Sequence, residues 1–155
     1  MNAELEELYQ QVILDHSRRP RNKGDIPGAI HVHGDNPSCG DEIDLSVQFS
    51  PEGVVEDVKF TGQGCAISQA SASLMTLKLK GKPRAEAETM LRAFHDLVTI
   101  EVADPPRQLG DLRLLAGVRK FPQRVKCAML AWRAFEQALQ EPQSPGTVTT
   151  EESAS

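Results

Sequence analysis

The sequence has few aromatic residues and no long apolar run, and each shortage excludes a class of protein. Aromatic residues make up 5% of the 155 residues, so aliphatic side chains must fill most of the core. No apolar run approaches the roughly 18 residues that a membrane-spanning helix needs. The N-terminal segment MNAELEELYQQ lacks the apolar stretch of a secretory signal. With a length typical of one domain, these features predict a cytoplasmic globular protein with no membrane partner.

Positive charge is also scarce. The chain carries 17 Lys and Arg against 22 Asp and Glu, a formal net charge of −5. Binding of nucleic acid requires clustered cations, so the charge argues against a nucleic-acid partner. The one basic cluster follows a predicted helix, where cations stabilise the helix C-terminus; it consists of Arg18, Arg19, Arg21 and Lys23.

Cysteine is limited to three residues. An odd number in a reducing compartment disfavours a disulfide framework, which leaves core thiols, reactive thiols or metal ligands. The three are separated by 26 and 62 positions, spacings that match no zinc finger. His31 and His33, two apart on a predicted strand, are alternative ligands. Solvent-facing histidines on strands are common, however, and a ligand histidine needs convergent partners.

Hydrophobic periodicity predicts an α+β domain. A helical repeat ends before Pro20, and the strict alternation over 42–49 is typical of a half-buried strand. Turn residues at 50–53 and a second strand over 54–61 predict a hairpin, and 29–34 is a candidate third strand. The pattern therefore predicts an N-terminal helix followed by a small antiparallel three-stranded sheet.

Beyond the hairpin the apolar residues recur with the helical period. The domain is predicted to comprise residues 1–140, with the C-terminal helices packed on one face of the sheet. After Glu141 no apolar pattern is left, which predicts a disordered tail over 141–155. The predicted helices run from Ile67 to a stop at Gly81, over 84–97, over 109–115, and onward from Pro122.

Each cysteine lies where one kind of structure gives way to another. Cys39 lies in a turn before the clearest strand, two residues ahead of Asp41. Cys65 immediately precedes a helix, a position that lowers a thiol's pKa. Cys127 lies in the first turns of the last helix beside Arg124, whose guanidinium could stabilise a thiolate. Inert packing would explain Cys127 alone, but a glycine-flanked turn beside a carboxylate is a poor core position for Cys39.

Four segments carry a resemblance to a known family. Their order and their span over residues 5 to 140 make the match specific. They resemble the U-type iron–sulfur cluster assembly family, which includes IscU and the NifU N-terminal domain, and in particular its SufU branch. The segments are the N-terminal helix with the Pro-Arg-Asn after it (8–22), Asn-Pro-Ser-Cys-Gly-Asp (36–41), Gly-Gln-Gly-Cys-Ala-Ile-Ser (62–68), and Lys-Phe-Pro with Arg-Val-Lys-Cys-Ala (120–128).

Departures from the IscU pattern indicate that the chain resembles the SufU branch of the family. IscU-like proteins have a histidine directly before the last cysteine, where this chain has Lys126. Their Leu-Pro-Pro-Val-Lys chaperone-recognition segment is absent from 120–126. The long interval between Cys65 and Cys127, which holds an extra helical segment, also resembles SufU. The resemblance thus favours the role of sulfur acceptor over that of a chaperone-serviced scaffold.

The resemblance implies a zinc site formed by Cys39, Asp41, Cys65 and Cys127. Three thiolates and one carboxylate suit tetrahedral zinc. It further implies that Cys39, released from the metal, accepts sulfur, with Arg124 in support. The implied partners are a SufS-like cysteine desulfurase and downstream cluster-assembly proteins. The protein would act as a sulfurtransferase together with the desulfurase rather than as a stand-alone enzyme.

Two alternatives use the same residues. In the first, the cysteines form a scaffold for a transient [2Fe–2S] cluster or iron, with Asp41 as a weak ligand. In the second, zinc only stabilises an interaction domain that performs no chemistry. Asp41 argues against the second alternative, because purely structural zinc sites generally use cysteine and histidine.

Overall fold

The computed structural model of the protein describes residues 3–140 and 146–149. The predicted α+β class is confirmed, with an N-terminal helix, a sheet and then C-terminal helices. The helices are α1 (Ala3–Arg18), α2 (Ala66–Leu79), α3 (Arg84–Thr99), a 3-10 segment (Arg107–Lys120) and α4 (Pro122–Gln140), and the strands are β1 (Ile30–Asn36), β2 (Asp41–Phe49), β3 (Val55–Gln63) and β4 (Gly146–Thr149).

The predicted antiparallel sheet of three strands is confirmed for β1 to β3. Strand β2 lies in the middle, antiparallel to both neighbours, so that Leu45 is opposite Val32 on one side and Phe60 on the other. These three side chains are buried, while Glu42 and Asp44 on the opposite face of β2 are exposed. The alternation seen in the sequence therefore separates a core face from a solvent face.

The C-terminal segment differs from the predicted tail at four residues. Strand β4 lies parallel to β1 and pairs with it from Val32 to Asp35, at the edge of the sheet. Its Thr-Val-Thr sequence (147–149) consists of β-branched residues, which favour strands even where no apolar periodicity is present. The prediction of disorder for the rest of 141–155 falls outside the described residues.

Helix α4 lies at the centre of the core, and its packing there fixes the position of its first turns. Trp132 stacks on Phe94 of α3 with ring centroids 4.7 Å apart, and its indole N–H donates to Ser71 Oγ of α2 at 3.2 Å. Both α2 and α4 pack against the sheet and against each other. As a result Cys127, near the start of α4, lies beside the turn between β1 and β2. None of the described helices combines the length and the apolar character that crossing a membrane requires.

Candidate metal centre

Cys39 lies in the turn that joins β1 to β2. Asn36 and Asp41 are paired at the ends of these two strands. The carbonyl of Asn36 accepts hydrogen bonds from the N–H groups of Cys39 and Gly40 at 3.1 and 3.0 Å. These two bonds fold the turn tightly and leave the Cys39 thiol exposed.

Asp41 is the only carboxylate that the described part of the chain brings to the cysteines. Its side chain is fully buried. Its Oδ1 accepts a hydrogen bond from the backbone N–H of Cys65 at 2.8 Å, and its Oδ2 lies 3.9 Å from Cys65 Sγ. The carboxylate therefore joins the start of β2 to the start of α2.

Cys65 occupies the helix-start position that the sequence predicts. It is the N-cap residue of α2, and its Sγ accepts a hydrogen bond from the N–H of Ser68 at 3.4 Å. A hydrogen bond from the Cys127 thiol, assisted by the N–H groups of Ser68 and Ile67, lowers the pKa of Cys65 to about 7. In the metal-free protein Cys65 is thus the cysteine that carries thiolate character near neutral pH.

Cys127 is the buried cysteine of the three, with 3% of its surface exposed. Its Sγ lies 3.6 Å from Cys39 Sγ. The pKa of Cys127 is raised, first by its hydrogen bond to Cys65, then by burial and by the nearby Asp41. Without a metal, Cys127 therefore keeps its proton.

The arrangement suits a soft tetrahedral metal ion. One ligand atom from each of Cys39, Asp41 and Cys127 lies within 4.8 Å of the others. Cys65 falls outside this group of three and borders it through Asp41, whose Oδ2 lies 3.9 Å from its Sγ. Zinc–sulfur bonds of about 2.3 Å in a tetrahedron place two sulfurs roughly 3.8 Å apart. The observed separation of 3.6 Å between Cys39 and Cys127 fits zinc.

An open depression of about 590 Å³ leads to the cysteines. Ile13 and Leu14 of α1 and Ile67 of α2 line it with apolar surface, and Arg124 lies on its wall. The Arg124 guanidinium stacks on the Phe121 ring, with its carbon 5.2 Å from the ring centroid. The support of a thiolate by Arg124 stays a prediction, because the contact of its guanidinium is with this ring.

Sequence reasoning missed two contacts of the cysteines. The side-chain amide of Asn36 donates to Cys127 Sγ at 3.7 Å, and Gln123 Oε1 accepts from Cys39 Sγ at 3.8 Å. Asn36 stands in the motif that carries the family resemblance, which was the available signal. No sequence signal pointed to Gln123, because its approach to Cys39 depends on how α4 packs.

The two histidines considered as ligands do not join the group of possible metal ligands among the described residues. On the outer face of the sheet, His31 Nε2 lies 2.8 Å from Asp25 and His33 Nδ1 lies 2.8 Å from Asp44. Both histidines are partly exposed, and each forms an ion pair with its carboxylate when it is protonated.

Comparison with known proteins agrees with this geometry. The chain is 47% identical over 138 residues to the zinc-dependent sulfurtransferase SufU of Bacillus subtilis, covering 89% of this chain and 93% of that protein. It is 44% identical to the iron–sulfur cluster assembly scaffold protein IscU of Streptococcus pyogenes, covering 88% and 86%.

Known structures agree as well. The crystal structure of a putative iron–sulfur cluster assembly scaffold protein for the SUF system, from Fervidobacterium islandicum, matches with a TM-score of 0.76. That match has 35% identity and covers 86% of this chain and 97% of the other. Residues 8–144 match the family described as the NifU-like N terminal domain. The chain therefore belongs to the NifU-like N-terminal domain family.

Proposed function

We propose that this protein works in iron–sulfur cluster assembly as a sulfur acceptor for a cysteine desulfurase, and that Cys39 takes the sulfur. One observation carries the proposal. Cys39 presents an exposed thiol in a turn, 3.6 Å from the buried sulfur of Cys127 and within 4.8 Å of a carboxylate oxygen of Asp41. A thiol in this setting is accessible to a partner protein and adjacent to a metal-capable group.

Cys39, Asp41, Cys65 and Cys127 are the residues that would hold zinc. When bound, zinc keeps the thiols deprotonated and so raises the fraction present as nucleophilic thiolate. Asp41 and Cys65 are fixed to each other by the hydrogen bond between them, and Cys127 is fixed by its place in α4. Cys39 and Cys65 are both exposed, but Cys39 lies in a turn whereas Cys65 is held as the cap of α2.

The transfer step is a thiol exchange. The Cys39 thiolate attacks the outer sulfur of a persulfide on the desulfurase cysteine. A sulfur–sulfur bond forms on Cys39, the bond to the desulfurase cysteine breaks, and that cysteine leaves as a thiolate. Ile13, Leu14 and Ile67 give the depression beside the new persulfide an apolar wall, and Arg124 on the same wall supplies positive charge.

The partners follow from the chemistry and from the relatives. The relative from Bacillus subtilis is a zinc-dependent sulfurtransferase, and sulfur transfer requires a sulfur donor. We therefore infer that a SufS-like desulfurase supplies the sulfur and that downstream cluster-assembly proteins receive it. The cytoplasmic location stays a prediction from the sequence.

A scaffold role is the second candidate. The depression of about 590 Å³ above the cysteines gives room for a [2Fe–2S] cluster as cargo, and a relative with 44% identity is a scaffold protein. Iron–sulfur clusters are held by cysteine thiolates, which this site offers. Lys126 in place of the IscU histidine favours sulfur transfer over this alternative.

Stimulation of a desulfurase tests the proposal. The wild-type protein, loaded with zinc, should accelerate the release of alanine from cysteine by a SufS-like desulfurase, because an acceptor relieves the enzyme of its persulfide. Cys39→Ala should abolish the stimulation, whereas Arg124→Ala should only weaken it. Stimulation that survives Cys39→Ala would overturn the assignment of the acceptor. A wild-type protein that gives no stimulation yet assembles a cluster from iron and sulfide would establish the scaffold role instead.

A further inference from the structure

We propose that Asn36 is a positioning residue of the metal site, whose side-chain amide donates a hydrogen bond to Cys127 Sγ and orients that sulfur as a metal ligand. The inference deepens the proposed function and rests on its metal site. It extends that site beyond the four residues that would contact the metal.

The contact is buried and spans a long interval in the sequence. Asn36 is fully buried at the end of β1, and its Nδ2 lies 3.7 Å from the Sγ of Cys127 on α4. A cysteine that binds a metal is deprotonated, so its sulfur only accepts hydrogen bonds. The amide must therefore turn its N–H toward the sulfur, as it does here.

The other end of the same amide is unsatisfied. Asn36 Oδ1 is buried and has no hydrogen-bond partner among the described residues. A buried acceptor without a partner is unfavourable, and an apolar side chain of similar size would avoid this cost. The N–H group of the amide, which is directed at Cys127, therefore explains why this position carries an asparagine.

The backbone of Asn36 serves the exposed ligand as well. Its carbonyl accepts the N–H groups of Cys39 and Gly40, and Asn36 is the cross-strand partner of Asp41. One residue thus contacts Cys127 through its side chain and positions the Cys39 turn through its main chain. A substitution at Asn36 removes the first contact and leaves the two main-chain bonds in place.

Two substitutions of similar size separate the hydrogen bond from the shape of the side chain. Asn36→Leu fills the space but has no donor. Asn36→Asp keeps the shape but places an acceptor, and when ionised a negative charge, against the Cys127 thiolate. Hydrogen-bond partners of metal ligands typically change metal affinity about 10- to 100-fold. Zinc affinity should therefore decrease from wild type to Asn36→Leu and further to Asn36→Asp.

The experiment uses the full chain. Zinc dissociation constants are measured by competition with a chromogenic chelator, and cobalt(II) replaces zinc for absorption spectra. We expect about 10-fold or greater weakening of zinc binding in Asn36→Leu. The thiolate-to-cobalt charge-transfer band should move to longer wavelength, because losing a hydrogen bond raises the energy of the sulfur lone pairs. The thermal midpoint of the metal-free Asn36→Leu protein should be unchanged or higher, since the unsatisfied Oδ1 is gone.

A matched control removes a buried polar group elsewhere. Thr76 on α2 is fully buried, and its hydroxyl bonds to Ser73 O and Asn22 rather than to a cysteine. Thr76→Val should lower the thermal midpoint and leave zinc affinity and the cobalt band unchanged.

The outcomes separate this inference from the proposed function. Wild-type zinc affinity and an unshifted cobalt band in both Asn36 variants would overturn the role of Asn36 alone. A wild-type chain that binds neither zinc nor cobalt at this site would overturn the metal site and this inference with it. If Asn36→Leu does not fold, Asn36→Asp alone decides by the same two measurements.

Discussion

The carboxylate of Asp41 and the backbone N–H of Cys65 are joined by a hydrogen bond of 2.8 Å. The two residues lie 24 positions apart, on β2 and at the start of α2. Gly64 makes the approach possible, because a Cβ built at this position would lie 2.3 Å from Asp41 Oδ1 and 2.9 Å from Ser68 Oγ. The Gly-Gln-Gly segment before Cys65 thus has a steric role at the site.

Gly64→Ala should damage the site and the fold together. The added methyl group must displace the Asp41 carboxylate or the start of α2, so we expect a loss of about 1–3 kcal/mol in the free energy of unfolding. Zinc affinity should decrease as well, measured by chelator competition. Gly28→Ala is the control, because Gly28 also has a positive φ (+82°) but its Cβ would meet nothing within 4 Å. It should lower stability and leave zinc affinity unchanged; an identical loss of affinity in both variants would contradict the role of Gly64.

Metal binding should depend on pH in a way set by the thiols of Cys65 and Cys127. Cys127 keeps its proton because its pKa is raised, so binding releases that proton across the neutral range. The pKa of Cys65 is lowered to about 7. Cys65 therefore still carries a proton that metal binding can release only below that pH. Zinc affinity should therefore rise with pH, and the slope should decrease by about one proton above pH 7.

Zinc competition experiments between about pH 6 and pH 8 measure this slope. Cys65→Ser should remove the change of slope near pH 7 and keep the part due to Cys127. An affinity that does not vary with pH would contradict the protonation states assigned here.

Stability should fall in mild acid because of His16. This histidine is 6% exposed, its Nδ1 lies 2.7 Å from Ser73 Oγ, and burial followed by the charge of Arg21 lowers its pKa below the ordinary value of 6.5. As the pH falls below 6.5, the unfolded chain takes up the proton first, so the free energy of unfolding decreases. Urea denaturation across this range measures the decrease. His16→Gln should flatten this part of the profile, and an equally steep profile in the variant would refute the assignment.

Local patterns in the sequence predicted most of the fold. The alternation over 42–49 corresponds to β2, and the turn chemistry after it corresponds to the β2–β3 hairpin. Pro122, predicted as a first-turn residue, is the first residue of α4. These features depend on neighbouring residues along the chain, so the sequence contains them directly. The 3-10 segment Arg107–Lys120 is longer than the predicted 109–115 and has a kink at Gly110, whose φ is +55°. Its buried residues recur every third position, which is the 3-10 period and not the α-helical one; they are Leu109, Leu112, Leu115 and Val118.

The residues of the candidate site could be named from the sequence, and their role as ligands stays a prediction; their arrangement could not be predicted. The family resemblance named Cys39, Asp41, Cys65 and Cys127, and the helix-start position of Cys65 followed from the sequence. The burial of Cys127 against the exposure of Cys39 depends on how α4 packs against the end of β1. The contact between Asn36 and Cys127 depends on the same packing, across 91 positions of sequence, and no local pattern specifies it.

The most direct test of the account is to locate the persulfide after a single round of sulfur transfer. A desulfurase charged with persulfide is mixed with the zinc-loaded chain, and the products are alkylated with a persulfide-specific reagent and mapped by mass spectrometry. We predict that the additional sulfur is on Cys39, because its thiol is exposed in a turn. Cys127 is buried, and the sulfur of Cys65, although exposed, is held by the N–H of Ser68 as the cap of α2. A persulfide found mainly on Cys127 or Cys65, or absent from the chain altogether, would contradict the account.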